Sequence, residues 1–117
     1  IALLQRAAVY AQPSQFEGFG LAILEAMSCG AAVLTGPAGA VPEVVGATAR
    51  LVDAGSPEAI AAAILGLLQS EATRRQLGAA ARARAVELFP WDRRRRELAA
   101  VLAQIHRGAP CDGAESQ

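Results

Sequence analysis

The chain has 117 residues, enough for one domain with a core but short for an enzyme that must hold two substrates. Its 11 basic and 11 acidic residues cancel, so the charge balance calls for neither nucleic acid nor a membrane surface. A hydrophobic fraction of 53% with 19% charged residues fits a soluble globular protein, and no apolar run approaches the ~18 residues that span a bilayer. Every basic residue is arginine, which beside the many alanines reads as compositional bias. Two cysteines, Cys29 and Cys111, form no framework, and a reducing, cytoplasmic compartment is the expectation. No secretory leader is visible, and the chain reads as a piece of a longer one entered inside a helix.

Residues 2–8 read as the end of that helix. Val9-Tyr10-Ala11-Gln12 is a short, mostly apolar run stopped by Pro13, which suits a buried strand. A loop from Ser14 to Phe19 leads into a helix from about Gly20 to Ser28, with Gly30 as its cap. Ala31 to Thr35 is a second strand, Gly36-Pro37-Ala38-Gly39 a loop, Pro42 to Val45 a single helical turn, and Ala49 to Val52 a third strand. Ser56-Pro57-Glu58 then starts a helix with a hydroxyl cap, a proline at the first helical position and an early acid. Its expected buried face is Ile60, Ile64, Leu67 and Leu68. A helix over about 71–88 is expected to bury Leu77, Ala81, Ala85 and Leu88. A last one, over about 91–106, carries Leu98, Val101, Leu102 and Ile105 on one stripe, and residues 108–117 read as a disordered tail.

Strands alternating with helices at this spacing imply right-handed crossovers and a parallel sheet. The expected fold is α/β: a Rossmann-like three-layer αβα arrangement, incomplete at about three strands, with a helical C-terminal third. A complete sheet of this kind usually has more strands, so the remainder is expected upstream.

Ligands of such sheets bind outside the carboxyl ends of the strands, where Pro13–Phe19 and Gly36–Ala40 emerge. Gly18 and Gly20 let the backbone approach a ligand, and the helix behind them offers unpaired N–H groups to a phosphate. At 100° per residue, Ile23, Leu24 and Met27 share the side that faces the sheet, and Glu25 points nearly the opposite way. A carboxylate on a helix packed within a domain needs partners, and ribose hydroxyls are suitable ones. Glu17 sits just before the helix at the strand edge.

Pro13-Ser14-Gln15-Phe16-Glu17-Gly18-Phe19-Gly20-Leu21, Glu25-Ala26-Met27-Ser28-Cys29-Gly30, Val33-Leu34, Gly39 and Pro42-Glu43-Val44-Val45 together resemble the family 4 retaining glycosyltransferases of the GT-B fold. The resemblance runs on through Leu51-Val52-Asp53, Ser56-Pro57-Glu58 and Phe89-Pro90-Trp91-Asp92. The pair Glu17 and Glu25 is the family's E-x7-E pattern. The resemblance implies that residues 1–107 are part of a C-terminal, nucleotide-sugar-binding domain, with the acceptor brought by an N-terminal domain. It implies a catalytic position beside the transferred sugar for Glu17 and ribose binding for Glu25. Backbone contacts to the sugar and diphosphate are implied for Gly18, Phe19, Gly20, Leu21 and Ala22. The implied reaction keeps anomeric configuration and needs no metal or other cofactor. Implied partners are a nucleotide-diphosphate sugar and a sugar, lipid or other hydroxyl acceptor, with peripheral contact at the inner face of the membrane through the other domain. Nucleic acid is not among them.

Three departures stand out. The family's diphosphate-binding Arg and Lys have no counterpart, since the chain has no Lys and only Arg6 precedes the motif. Ala40 replaces a frequent glycine, and Pro90 a frequent capping Ser. The first makes the expectation a donor half-site that transfers nothing alone.

Other features have plainer readings. Arg93-Arg94-Arg95-Arg96 spreads round a helix between Asp92 and Glu97 and reads as a solvated face. Trp91 is expected to anchor the last helix, Cys29 to pack, and Ser14 to serve a turn. His106 suits the negative end of a helix. Glu43 fits a cap or a ligand contact equally. A dinucleotide-binding loop would need a third glycine, which Gly18-Phe19-Gly20-Leu21-Ala22-Ile23 lacks.

Overall fold

A computed structural model describes residues 1–106 of the chain. Three apolar segments form a parallel sheet in the order β1 (Val9–Gln12), β2 (Ala32–Thr35), β3 (Arg50–Leu51). Val9 pairs with Ala32 and Gln12 with Thr35, while Thr35 pairs in turn with Leu51. Around the sheet lie α1 (Ala2–Arg6), α2 (Leu21–Ser28), α3 (Val41–Val45), α4 (Pro57–Gln69), α5 (Glu71–Leu88) and α6 (Trp91–His106). The expected α/β layering and strand count are thus present. The third strand is shorter than the apolar run from Ala49 to Val52, because only Arg50 and Leu51 pair with β2.

The central strand β2 is buried at every position, as a parallel strand covered on both faces must be. Val33 joins a core with Ile23, Ala26 and Met27 of α2, Val41, Val44 and Val45 of α3, and Ala81 and Ala85 of α5. Ala32 and Leu34 alternate to the other face, which α4 packs across. Leu67 is the one fully buried residue of α4, while Ile60 and Ile64 are half-buried and Leu68 is exposed. On α5, Leu77 is half-buried and Leu88 exposed, and the buried positions are Gly78, Ala81 and Ala85. Ala81 and Ala85 are buried as expected, and Gly78 rather than a leucine joins them because α5 approaches the end of α2 closely. A Cβ on Gly78 would lie 2.1 Å from the carbonyl oxygen of Gly30.

Helix ends follow local chemistry. Gly20 starts α2 at φ +83°, and Gly30 ends it at φ +78° with Ala31 N–H donating to the Ala26 carbonyl. Ser56 Oγ accepts from Ala59 N at 3.1 Å to begin α4. Ser70 closes α4 and opens α5, its hydroxyl accepting from Thr73 N.

The arginines of α5 correct the compositional reading. Arg74 donates to the carbonyls of Leu67 and Leu68, Arg82 to that of Ser28, and Arg84 to those of Glu43 and Val44, all at 2.6–2.9 Å. One helix therefore supplies cations to the carbonyl ends of α4, α2 and α3, where unpaired acceptors and the negative dipole end favour them. The run Arg93–Arg96 is solvated as expected, and a 2.8 Å bond from Arg93, helped by the neighbouring guanidinium charges, lowers the Glu97 pKa against an opposing effect of desolvation.

The last helix departs from expectation. No residue of α6 is buried, and Leu98, Val101, Leu102 and Ile105 form an exposed apolar stripe. Trp91 is 75% exposed and so anchors nothing within this domain. The Pro90 carbonyl accepts from Arg93 N and Arg94 N, giving α6 a start without the side-chain cap. Among the described residues no helix is long and apolar enough to cross a membrane. The tail expected over 108–117, the domain boundary at 107 and Cys111 lie outside the described residues.

Candidate functional site

Two loops leave the carboxyl edge of the sheet and close on each other. Pro13 has no N–H to extend β1, and a Ser14 N–H to Gln12 carbonyl bond at 2.9 Å turns the chain away. The loop after β2 then packs against it through its glycines. A Cβ on Gly39, at φ +52°, would sit 1.8 Å from the Glu17 carbonyl oxygen. A Cβ on Gly36 would sit 2.7 Å from that of Ser14. Ala40 N–H donates to the Gly18 carbonyl at 3.2 Å, which ties the loops together. Ala40 itself has φ −82°, an ordinary conformation for an L residue, so no glycine is needed there. Across the base of both loops, buried Thr35 donates its hydroxyl to the Gln12 carbonyl at 2.9 Å.

This clamp presents Glu17, Gly18, Phe19, Gly20, Leu21, Ala22 and Glu25 along one loop and helix. Glu17 is half-buried, while Gly18, Leu21, Ala22 and Glu25 are exposed. A Cβ on Gly18 would meet nothing within 4 Å, so the space beside it is open to a ligand. Phe19 faces inward, its ring edge-on to Phe89 with centroids 5.8 Å apart, and anchors the loop to the end of α5. On α2 the sheet-facing set is Ile23, Ala26 and Met27, with Leu24 only half-buried. Glu25 does point away from the sheet as expected. It is exposed there, however, so the reasoning that burial obliges it to find a partner does not hold.

Two residues at the site were not singled out from sequence. Tyr10 Oη donates to Gln12 Oε1 at 2.5 Å, and Gln12 Nε2 donates to Glu17 Oε2 at 2.6 Å. The same nitrogen reaches Ser14 Oγ at 3.3 Å, which fits the turn role expected for Ser14. Burial, then the charges of Glu17 and Glu25, raise the Tyr10 pKa above 10.0. Both carboxylates therefore act on the space around one phenol. The available signal was the period of two, which puts Tyr10 and Gln12 on one face of β1. Glu43 lies in the first turn of α3 with its side chain exposed, and its carbonyl serves Arg84. His106 ends α6, exposed.

Two cavities flank the loop. One of about 670 Å³ opens between the strand-end loops, lined by Ser14, Gln15, Pro37, Ala38 and residues 51–55. Another of about 350 Å³ lies between α2 and the start of α6, with Phe19, Leu21, Leu24, Trp91 and Arg94 in its wall. Neither is lined by Glu17, which is half-buried beside Gln12, or by Glu25, which is exposed on α2.

Comparison with known proteins places the chain in a family. A family described as "Glycosyl transferases group 1" matches residues 1–84. The chain is 41% identical over 114 residues to the MMP alpha-(1->4)-mannosyltransferase of Mycolicibacterium hassiacum, covering 94% of this chain and 28% of that protein. It is 41% identical over 90 residues to O-antigen chain mannosyltransferase B of Escherichia coli, covering 77% and 23%. Sucrose-phosphate synthase from Thermosynechococcus elongatus superposes with a TM-score of 0.85 at 31% identity, over 91% of this chain and 27% of that one. The Anabaena protein HepE, crystallised with UDP and glucose, gives 0.82 at 27% identity over 87% and 29%. The chain thus spans about a quarter of the length of the proteins it matches. A match over residues 1–84, with a relative 41% identical across 94% of the chain, means that the chain belongs to the group 1 family of glycosyl transferases.

Proposed function

We propose that this chain is the donor-binding part of a retaining glycosyltransferase that uses a nucleotide-diphosphate sugar. The observation that carries the reading is the clamped loop, which sets Glu17 and the free amino end of α2 beside open space, with Glu25 one helix turn further on. Unpaired N–H groups at Leu21 and Ala22 suit a diphosphate. The Glu25 carboxylate suits ribose hydroxyls, and Glu17 a hydroxyl of the sugar. The scheme assigns no general base or nucleophile to the described residues and rests catalysis on positioning and electrostatics. The scheme calls for no metal, so a chelator leaves turnover unchanged. Support for a nucleotide sugar comes from the family and from HepE, whose crystals hold UDP and glucose.

The rest of the protein, in this reading, supplies the acceptor hydroxyl, the cations for the departing diphosphate and any contact with the inner face of the membrane. The chain alone then binds donor without turning it over. Loss of a single donor to the developing charge costs roughly 10²–10³ in rate, and this chain lacks the Arg and Lys of the family clamp. In the intact enzyme, Glu17→Ala and Glu25→Ala should each lower activity at least about tenfold, with the product anomer unchanged from that of the donor. Full turnover in both variants would sink the assignment. Calorimetric titration of the chain with UDP-, GDP- and ADP-sugars separates the two roles: binding without turnover fits a half-site, and turnover by the chain alone contradicts it.

A further inference from the structure

We propose that Gln12 is the positioning residue of this site: its side-chain amide holds one oxygen of Glu17 and leaves the other aimed at the ligand. The inference rests on the reading of Glu17 as the carboxylate that meets the transferred sugar.

The hydrogen bonds have only one consistent direction. An ionised carboxylate can only accept, so the Gln12 NH2 group must face Glu17 Oε2, 2.6 Å away. The amide oxygen then faces Tyr10, whose hydroxyl must donate across 2.5 Å. Which way an amide points is decided by its neighbours: Glu17 fixes it here, and the Tyr10 hydroxyl, able to donate or accept, conforms. Burial and the two carboxylates favour the neutral phenol, so Tyr10 remains a donor. Its ring is itself fixed, packed against the core that includes Val33 and Met27. The chain of contacts therefore runs from the hydrophobic core, through a phenol and an amide, to one carboxylate oxygen.

Glu17 Oε1 has no protein partner among the described residues, and no buried side-chain oxygen lacks one, so Oε1 faces solvent. A carboxylate pinned at one oxygen presents the lone pairs of the other in a set direction. That is the geometry needed to accept a hydrogen bond from a sugar hydroxyl and to hold the sugar ring in one orientation. A glutamate on a loop without such a tether would sample several rotamers and lose this alignment. Gln12 can do this because it is the last residue of β1, paired with buried Thr35, so its backbone does not move with the loop.

The experiment compares Gln12→Leu, Gln12→Glu and Tyr10→Phe with Glu17→Ala in the intact transferase that contains this chain, measuring kcat and donor KM separately. Gln12→Glu keeps length and shape but replaces the neutral amide donor by a second carboxyl, which can touch Glu17 only by sharing a proton with it. The expected result is a fall in kcat of about tenfold for both Gln12 variants, with donor KM within about threefold of wild type. Tyr10→Phe, which removes the hydroxyl that holds the amide oxygen and so loosens the side chain, should lose about threefold in kcat. Full kcat in Gln12→Leu overturns the inference, because side-chain bulk alone would then suffice. Should the Gln12 variants lose their thermal transition, an unchanged kcat in Tyr10→Phe overturns it instead. A Glu17→Ala enzyme with full activity removes the reading of Glu17 and the inference with it. A Glu17→Ala enzyme that fails beside fully active Gln12 and Tyr10 variants removes the inference only.

Discussion

Replacing Gly39 by alanine tests whether the two strand-end loops are held by contact or merely lie side by side. The new Cβ would lie 1.8 Å from the Glu17 carbonyl oxygen and 3.0 Å from its carbon, where ordinary contact begins at 3.4 Å. One loop must retreat by well over an ångström. Because Gly39 has φ +52°, an L residue there also costs about 1–2 kcal/mol in backbone conformation. Overpacking adds about 1–3 kcal/mol, and the reduced freedom of the unfolded chain returns about 0.4–1 kcal/mol. The net expectation is a loss of about 1–5 kcal/mol, a large share of the stability of a small domain. Urea unfolding of the chain followed by circular dichroism measures it, with Gly18→Ala as the matched control. At Gly18 the added Cβ meets nothing within 4 Å and φ is not positive, so that variant should stay within about 0.5 kcal/mol of wild type or gain slightly. Equal effects at the two glycines, or a Gly39→Ala chain as stable as wild type, would refute the clamp.

Two further outcomes follow from the same structure. Tyr10 is the sole tyrosine, so the phenolate ultraviolet band reports it alone, and its midpoint in the native chain should exceed 10.0. A pKa raised by folding means that this group's stabilisation is complete below the unfolded value and disappears as pH climbs through the folded one. Glu17→Gln should bring the midpoint part of the way down, and a native midpoint at or below 10.0 contradicts the described environment. Arg84→Ala should destabilise the chain by about 1.5–3 kcal/mol, since half-buried Arg84 donates to two carbonyls at the end of α3. Arg75→Ala removes only an exposed pair with Glu71 and should change stability by less than about 0.5 kcal/mol. Denaturant midpoints that rank the two arginines equally would contradict the capping role.

Elements whose chemistry is local were legible from the chain. The Ser56-Pro57-Glu58 start, the Gly30 stop and the Pro13 break act on neighbours one to four residues away, and each stands where expected. Burial on the helices was read less well. Leu68, Leu88 and the stripe from Leu98 to Ile105 have the right spacing for a core, yet they are exposed. Periodicity identifies an apolar face, and only the packing of other elements covers it. The arginines show the reverse error. Their bonds reach carbonyls 40 and 54 residues away for Arg84 and Arg82, so composition looked like bias where it was capping.

Glu17 and Glu25 were visible in the sequence because their spacing and flanking glycines form one continuous segment. That Glu25 faces away from the sheet also followed from helix geometry alone. What only the tertiary structure decided is how Glu17 is held. Gly39 beneath its carbonyl and Gln12 at its carboxylate come from the ends of two different strands. Their distances depend on the register that sets Gln12 against Thr35, and that register arises only when β1 and β2 pair on a shared core.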